Sequence, residues 1–470
     1  MALSRRRLLI GGAAALVAVP VIGQMRWSSK QFIRDGFDPS PLSPPEGERV
    51  WVNWSGLQKA TPKAIAAPAT AEQVAAQIQD TPAPIRPVGS GHSFTALCPS
   101  EGTMVDVSAL SGLLAHDKAS QTVRFGAGTR LQQAARLLDA EGLAFANLPD
   151  IDVQTLAGGF ATATHGTGRD LTAIHDYIRG FEMVTPSGEI LTVNGQTNSH
   201  LLQAGKVSLG ALGIITQYDL QVEPMFNLHR RVKLVKTPDI LDQYLELSKT
   251  HRNFEAMFFP GTGHGATFTH DKYDGPLSGP MPSEDDSFLQ DLKQLRDVFG
   301  WLPWLRRKLF SLSVDPDAGE DVTDAGWKLL STSRTDKFNE MEYHIPLENG
   351  VATLRQVIEK LEARGDAFFP IEARVTAADT AWLSPFNDGR RLSIAIHADA
   401  SEDYKYFFRE FEPIFLAAGG RPHWGKLHSL GPKDLSKLYP QFDAFRALRK
   451  ELDPTGKMLT PYMSELLGVG

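Results

Sequence analysis

Three glycine-rich stretches hold the residues whose types and spacing could do chemistry. The first, at 87–94, reads PVGSGHSF. It follows a strand-like run that ends at Val88. Gly89 and Gly91 free the backbone so that successive N–H groups can converge on one anion, and Ser90 and Ser93 add hydroxyl donors. His92 stands in the middle of this turn. The second stretch, at 158–168, reads GGFATATHGTG and contains Gly158, Gly159, Thr162, Thr164, His165, Gly166 and Thr167. Small residues alternating with hydroxyls let a flat ligand approach the backbone closely. The third, LGALGIIT at 209–216, takes Gly213, Ile214 and Ile215 into a strand. Each stretch alone is a common packing pattern, but three in order within one region point to a binding cradle. No G-x-G-x-x-G follows a strand, so a nicotinamide dinucleotide site is not supported.

A second set lies further along. Glu372 and Arg374 sit in the strand-like run FFPIEARVTAAD, where alternation puts both on one face. A carboxylate beside a guanidinium suits a polyhydroxylated ligand, since one accepts from hydroxyls and the other donates; a surface ion pair is the competing reading of the same two residues. His397 lies in SIAIHADA, and His423 and Lys426 lie in RPHWGK.

The order PVGSGHSF, AGGFATATHGTG, SLGALGIIT resembles the flavin domain of the vanillyl-alcohol-oxidase-type flavoproteins. EAR followed by HWGK resembles their sugar-1,4-lactone and alditol oxidase branch, which includes gulonolactone and arabinonolactone oxidoreductases. The resemblance spans about 50–467. It implies FAD bound covalently through His92, with His423 and Lys426 near the flavin. It also implies substrate contacts from Glu372, Arg374, His397 and Lys426, and a small polyhydroxylated substrate whose hydride passes to flavin. Oxygen is the acceptor this implies, with a dehydrogenase using a quinone or cytochrome as the alternative; a non-catalytic sugar-binding protein is a more distant one. Two positions depart from the pattern. Pro149 and Asp150 stand where many relatives carry a small residue and a serine beside the flavin. In such relatives glycine or proline at the first position goes with oxidase behaviour and alanine with dehydrogenase behaviour. Asp399 stands where alditol oxidases carry a threonine, which argues against a simple alditol.

The elements that must position these residues follow from pattern. Helical periodicity appears at 71–78 and 131–138, and strand-like runs at 85–88, 104–107, 122–125, 177–184, 190–193, 214–222, 368–375 and 392–396. The Gly/Pro/acid-rich stretch 261–286 reads as a loop or insertion, and 288–310 as a buried helix pair broken at Pro303, with an amphipathic membrane-facing segment as the alternative. The expected fold is α+β: a two-subdomain FAD-binding domain at 49–225 and a substrate (cap) domain at 226–420 with a largely antiparallel sheet flanked by helices. A C-terminal segment, 421–470, is expected to return to the FAD domain.

With a net charge of −7 over 470 residues, the chain lacks the basic surplus that nucleic-acid binding needs. Its single cysteine, Cys98, allows no intramolecular disulfide and no cysteine metal cluster, and no metal is expected. Residues 1–24 pair consecutive arginines (Arg5, Arg6, Arg7) with an uncharged, Gly/Ala-rich apolar run. This resembles a twin-arginine signal and implies the corresponding export machinery and a location outside the cytoplasm, periplasmic or membrane-attached. The alternatives are a Sec signal or a short N-terminal membrane anchor that is not removed. Residues 25–48 read as a Pro-rich linker.

Overall fold

The computed structural model describes residues 27–30, 32–35, 37, 49–279, 287–315, 319–332 and 336–469. The signal-like segment and most of the linker lie outside the described residues.

The first half of the chain forms two small sheets around the glycine-rich turns. A three-stranded parallel sheet has β1 (Ala64–Ala66), β2 (Ile85–Val88) and β3 (Thr103–Asp106) in the order β1-β3-β2. Helix α1 (Ala71–Asp80) connects β1 to β2. Thr70 caps it by accepting from the Gln73 N–H, and Val74 and Ile78, one turn apart, face the core. The strand β2 ends at Val88, so the 89–94 turn leaves from the carboxyl end of a parallel strand. The second sheet is five-stranded and antiparallel. Its strands are β4 (Leu113–Asp117), β5 (Thr122–Gly126), β6 (Ile178–Val184), β7 (Ile190–Asn194) and β8 (Ile214–Gln221), in the order β7-β6-β8-β5-β4. Helix α2 (Leu131–Ala140) buries Leu131, Ala134, Ala135 and Leu138 at the spacing of one helical face. The short helix α3 (Leu156–Ala161), capped by Thr155, leads into 162–168.

The second half is built on an eight-stranded antiparallel sheet. Its strands are β9 (Asn227–Lys236), β10 (Asn253–Phe259), β11 (His264–Lys272), β12 (Gly319–Ala325), β13 (Phe338–Pro346), β14 (Ile371–Thr376), β15 (Arg391–Asp399) and β16 (Arg421–Pro422). They lie in the order β12-β9-β11-β10-β14-β15-β13-β16. The loop reading of 261–286 is corrected here: β11 is an interior strand, paired with β9 along its full length and with β10 on its other edge. Its Thr and Phe residues fit a pleated surface, and register with two neighbours outweighs its polar, glycine-bearing composition.

Two helices, α4 (Ser287–Phe299) and α5 (Pro303–Ser313), pack beside this sheet, and Pro303 opens the second. The pair is only half-buried: Leu292, Leu295 and Phe310 point inward, whereas Trp304 and Leu312 are 64% and 71% exposed. Helix α6 (Leu347–Arg364) covers one face of β13 and β15. The other face of these strands looks toward the first half of the chain, which is why both read as buried on both sides.

Beyond β16 the chain crosses back to the first half. The Phe94 N–H donates to Gly425 O at 2.7 Å, Thr95 Oγ1 to Trp424 O at 2.9 Å, and the Ile85 N–H to Lys457 O at 2.9 Å. Arg86 anchors this return. Its buried guanidinium donates to the carbonyls of Leu97, Leu209, Gly210 and Met458 at 2.7–3.0 Å. Arg86→Leu strands these acceptors, and each unpaired buried group costs about 1–3 kcal/mol. Thermal unfolding of the variant is therefore expected to show a loss of roughly 3 kcal/mol or more; an unchanged Tm would show that the four carbonyls find other donors.

Candidate active site

A cleft of about 970 Å³ opens where the glycine-rich turns meet the eight-stranded sheet. One wall is the β2 turn, with Gly89, Ser90, Gly91, His92 and Ser93; the opposite wall is the sheet, with Glu340, Glu342, Glu372, Arg374 and His397. Pro149, Asp150, Gly158, Thr162, Thr164, His165, His423 and Lys426 are also among the lining residues. A second cavity of about 600 Å³ continues from it between β2, α3 and β8, lined by Val88, Gly213, Ile214 and Ile215. The two share Gly89, Ser93, Cys98, Gly158 and Thr162. Gly159, Gly166 and Thr167 line neither cavity: Gly159 packs inward with α3, Gly166 O bonds the His165 ring, and the Thr167 hydroxyl bonds Phe254 O. Cys98 is a free thiol at the junction of the two cavities. Burial raises its pKa against the opposing effect of Arg86.

Strand geometry explains why the charged groups converge. Side chains two apart share a face, so β13 presents Glu340 and Glu342 together and β14 presents Glu372 and Arg374 together. In register, Glu340 stands opposite His397 on β15, and Glu255 on β10 stands opposite Arg374. Two clusters result. In one, Arg374 Nε donates to Glu255 Oε2 at 2.6 Å, while Nη2 lies 2.8 Å from Glu372 and 3.7 Å from Asp150. Burial favours loss of the arginine's charge, but these three carboxylates outweigh it and drive the pKa further up. Glu255 shifts upward, chiefly through burial.

In the other cluster Lys426 Nζ bonds Glu340 Oε2, and His397 Nε2 lies 3.6 Å from Glu340 Oε1. Burial disfavours the carboxylate, yet Lys426 and His397 outweigh it and hold Glu340 down to about 2. His397 Nδ1 is fixed on Pro370 O at 2.9 Å. Burial lowers its pKa, but Glu340 and Glu372 reverse the sign and raise it. Deeper in the wall, His165 Nε2 meets Glu342 Oε1 at 2.8 Å and Nδ1 meets Gly166 O at 2.8 Å. Burial raises the Glu342 pKa, but His165, His344 and His423 overcome it and hold the carboxyl well below its usual range. His165, Glu342 and His344 are the one metal-type grouping among the described residues. His165 and Glu342 already engage each other directly.

His92 occupies the turn as an imidazole stacked on Trp54, with ring centroids 5.3 Å apart and planes 22° apart. Burial, then Lys426 and Arg130, push its pKa down to about 4. The loop carrying Pro149 and Asp150 is tied to the sheet side: Ser331 Oγ donates to Pro149 O at 2.7 Å and Thr332 Oγ1 to Asp150 Oδ1 at 2.6 Å. Asp399 is outside the cleft lining and instead takes Lys293 Nζ at 3.0 Å. Sequence reasoning missed Glu255, Glu340 and Glu342. The available signal was two acids at period two within the otherwise strand-like FNEMEYHIP.

A profile of an FAD binding domain matches residues 62–194, and a profile of D-arabinono-1,4-lactone oxidase matches residues 218–466. L-gulono-1,4-lactone dehydrogenase of Mycobacterium tuberculosis is 34% identical over 430 residues, covering 89% of this chain and 99% of that protein. The chain belongs to the D-arabinono-1,4-lactone oxidase family. Alditol oxidase of a Streptomyces species is 27% identical, with 88% of this chain and 98% of that protein covered. Bos taurus L-gulonolactone oxidase is also 27% identical, with 88% and 97% covered. Among solved structures, cholesterol oxidase from B. sterolicum superimposes with a TM-score of 0.74 at 16% identity, covering 91% of this chain and 99% of that one; it shares the fold. As a member of this family of vanillyl-alcohol-oxidase-type fold, the chain is an FAD-linked oxidoreductase acting on CH–OH groups.

The cleft fits that cofactor. It has two connected chambers, a larger one lined by the charged groups and a smaller one lined by residues of α3 and β8. At Gly89 a Cβ would come within 2.2 Å of Thr155 Oγ1, and at Gly213 the φ of +152° is one that side chains avoid. Both positions therefore keep bare backbone along the cleft, as close approach of an elongated dinucleotide requires.

The Glu340 cluster has a checkable pH signature. A carboxyl whose folded pKa lies below its ordinary value adds stability that is fully present above the ordinary value and is lost as pH falls through the folded one. Glu340→Gln is thus expected to lower the Tm at neutral pH, with the gap to wild type constant above about 4.5 and closing as pH drops toward about 2. A pH series of melting curves measures this; a gap that does not narrow in acid removes Glu340 as the charged partner of Lys426 and His397.

Proposed function

We propose that this enzyme oxidises the CH–OH carbon of a sugar-1,4-lactone, or of a closely related polyol, with FAD carried covalently on His92. The observation that supports this reading is that Arg374 with Glu372 and Lys426 with Glu340 converge on one cleft opposite His92. Carboxylates accept from sugar hydroxyls, while the guanidinium and ammonium donate to ring and carbonyl oxygens. Asp399, held by Lys293 and outside the cleft lining, offers nothing in place of the alditol oxidases' threonine. That favours a lactone over an open-chain alditol, in keeping with the lactone-named relatives.

When bound, FAD supplies the two-electron acceptor for the hydride leaving the carbinol carbon. The protein's part is electrostatic and positional. Arg374 and Lys426 stabilise negative charge developing on the carbinol oxygen. His397 fits the role of proton acceptor better than Glu372, which is committed to Arg374, and Pro370 O orients its ring. The low pKa of His92 keeps its imidazole neutral at physiological pH, the nucleophilic form that a covalent bond to the cofactor requires.

For the acceptor we propose oxygen, because Pro149 lines the cleft with its carbonyl pinned by Ser331 and Lys426 supplies a nearby positive charge. A dehydrogenase is the second reading: Asp150 brings a carboxylate into the same cleft, and the 34% identical relative bears that name. We further propose that residues 1–24 direct export through the twin-arginine route.

Two experiments test this. Acid-precipitated wild-type protein is expected to keep its flavin, and His92→Ala to release it; free FAD from unfolded wild type would exclude the covalent link. Anaerobic stopped-flow reduction by aldonolactones is expected to slow by about 10²-fold or more in Arg374→Ala and in Lys426→Ala. Near-normal rates in both would sink the assigned roles. In the same traces, admission of air distinguishes rapid reoxidation, as in an oxidase, from the persistence of reduced flavin until a quinone is added.

A further inference from the structure

The half-buried helix α5 has one face that neither the cleft nor the core uses. Trp304, Lys308 and Leu312 follow one another at intervals of four residues and are all exposed, with Arg307 beside them. The helix carries three cations and no acid, in a chain whose net charge is negative. One of the three, Arg306, turns inward to the carbonyls of Pro260 and Ala367, at 2.7 and 3.0 Å. Arg307 is half-exposed and pairs with Glu362 at its edge, and Lys308 remains in solvent. A tryptophan and a leucine flanking basic side chains form the composition that settles at the headgroup level of an anionic lipid surface.

The N-terminal strap is fastened where α5 begins, at the junction of α4 and α5. Trp27 Nε1 donates to Arg296 O at 3.2 Å in the last turn of α4, and the Trp27 ring packs on Gly300, between α4 and α5. Phe32 lies beneath the Arg296 guanidinium, 4.1 Å from carbon to centroid, and Ile33 is 64% exposed in the same strap. In sequence, only Gln24, Met25 and Arg26 separate Trp27 from the uncharged run 8–23. Chain extension limits that gap to about 14 Å. A bilayer that takes up the run is therefore held within about that distance of Trp27 at the α4–α5 corner. The run is shorter than the roughly 20 residues of a typical span, and one short apolar element gives marginal, reversible attachment unless a second contact joins it.

We propose that the exposed face of α5, centred on Trp304, Lys308 and Leu312, is a membrane-docking surface for anionic lipid. It works with an uncleaved N-terminal run and presses the α4–α5 corner onto the bilayer. The test uses the full-length holoenzyme with vesicles of phosphatidylcholine and phosphatidylglycerol whose acyl chains carry bromine. Tryptophan emission is expected to be quenched, with Trp304→Phe losing a clear share of the quenched signal. Lys308→Glu combined with Leu312→Asp is expected to weaken partitioning onto these vesicles by about tenfold or more. Flavin reduction by lactone should be unchanged, since neither residue lines the cleft, which also reports that the variant is folded. Identical quenching in wild type and Trp304→Phe would overturn the proposal, as would equal partitioning of the double variant. An intact mass showing that the exported protein begins after residue 26 would remove the tether and overturn it too.

Discussion

Arg374 is a guanidinium taken almost wholly out of water, and the architecture around it is what keeps it charged. Its three carboxylate neighbours come from separate parts of the chain: Glu255 from β10, Glu372 from its own strand, and Asp150 from the loop of the first half. A buried cation without partners is strongly destabilising, and one with several well-placed partners is tolerable. The register that sets Glu255 across from Arg374 and the bonds that hold the 149–150 loop on Ser331 and Thr332 are therefore conditions for the cleft to exist. Lys426 shows the same logic at the other end of the cleft, where Glu340 compensates it.

These pairs also unite stability with function. Glu255 meets Nε of Arg374 while Nη2 faces Glu372 and Asp150, and the residue lines the cleft. Fixing a guanidinium from behind lets it act on a ligand without reorganising, and that preorganisation is the source of most electrostatic catalysis. Carboxylates outnumber strong cations along this wall, so the surroundings favour a neutral, hydroxyl-rich ligand over an anionic one. A sugar acid entering would place another negative charge among Asp150, Glu340 and Glu372, and like charges repel.

How much of this was legible in the sequence depended on how local each relationship is. The turn at 89–93 announces itself because its glycines, serines and histidine act within one short segment. Alternation in IEARVT likewise places Glu372 and Arg374 on one face. Glu340 gives no such signal: its partner Lys426 is 86 residues away, and only the sheet brings them together. Glu255 lies 119 residues from Arg374 and is found by register alone. β11 was illegible for a different reason. Gly, Thr, His and Asp dominate GATFTHD, and the strand owes its existence to pairing on both edges rather than to its own propensity. Gly166 and Thr167, at the end of the second glycine-rich stretch, bond to the His165 ring, Phe254 and Asn253, and line neither cavity.

The seam between the two halves connects the cleft's polarity to its rigidity. His175 and Asp379 meet across it at 3.0 Å with both side chains fully buried. Asn253 Nδ2 donates to Asn147 Oδ1 and to Thr167 O at 3.1 and 2.6 Å. Separating the two halves would break these contacts together. The Pro149–Asp150 loop, itself pinned to the sheet side by Ser331 and Thr332, lines the cleft together with Lys426, so the same contacts that join the halves also fix part of its polar lining.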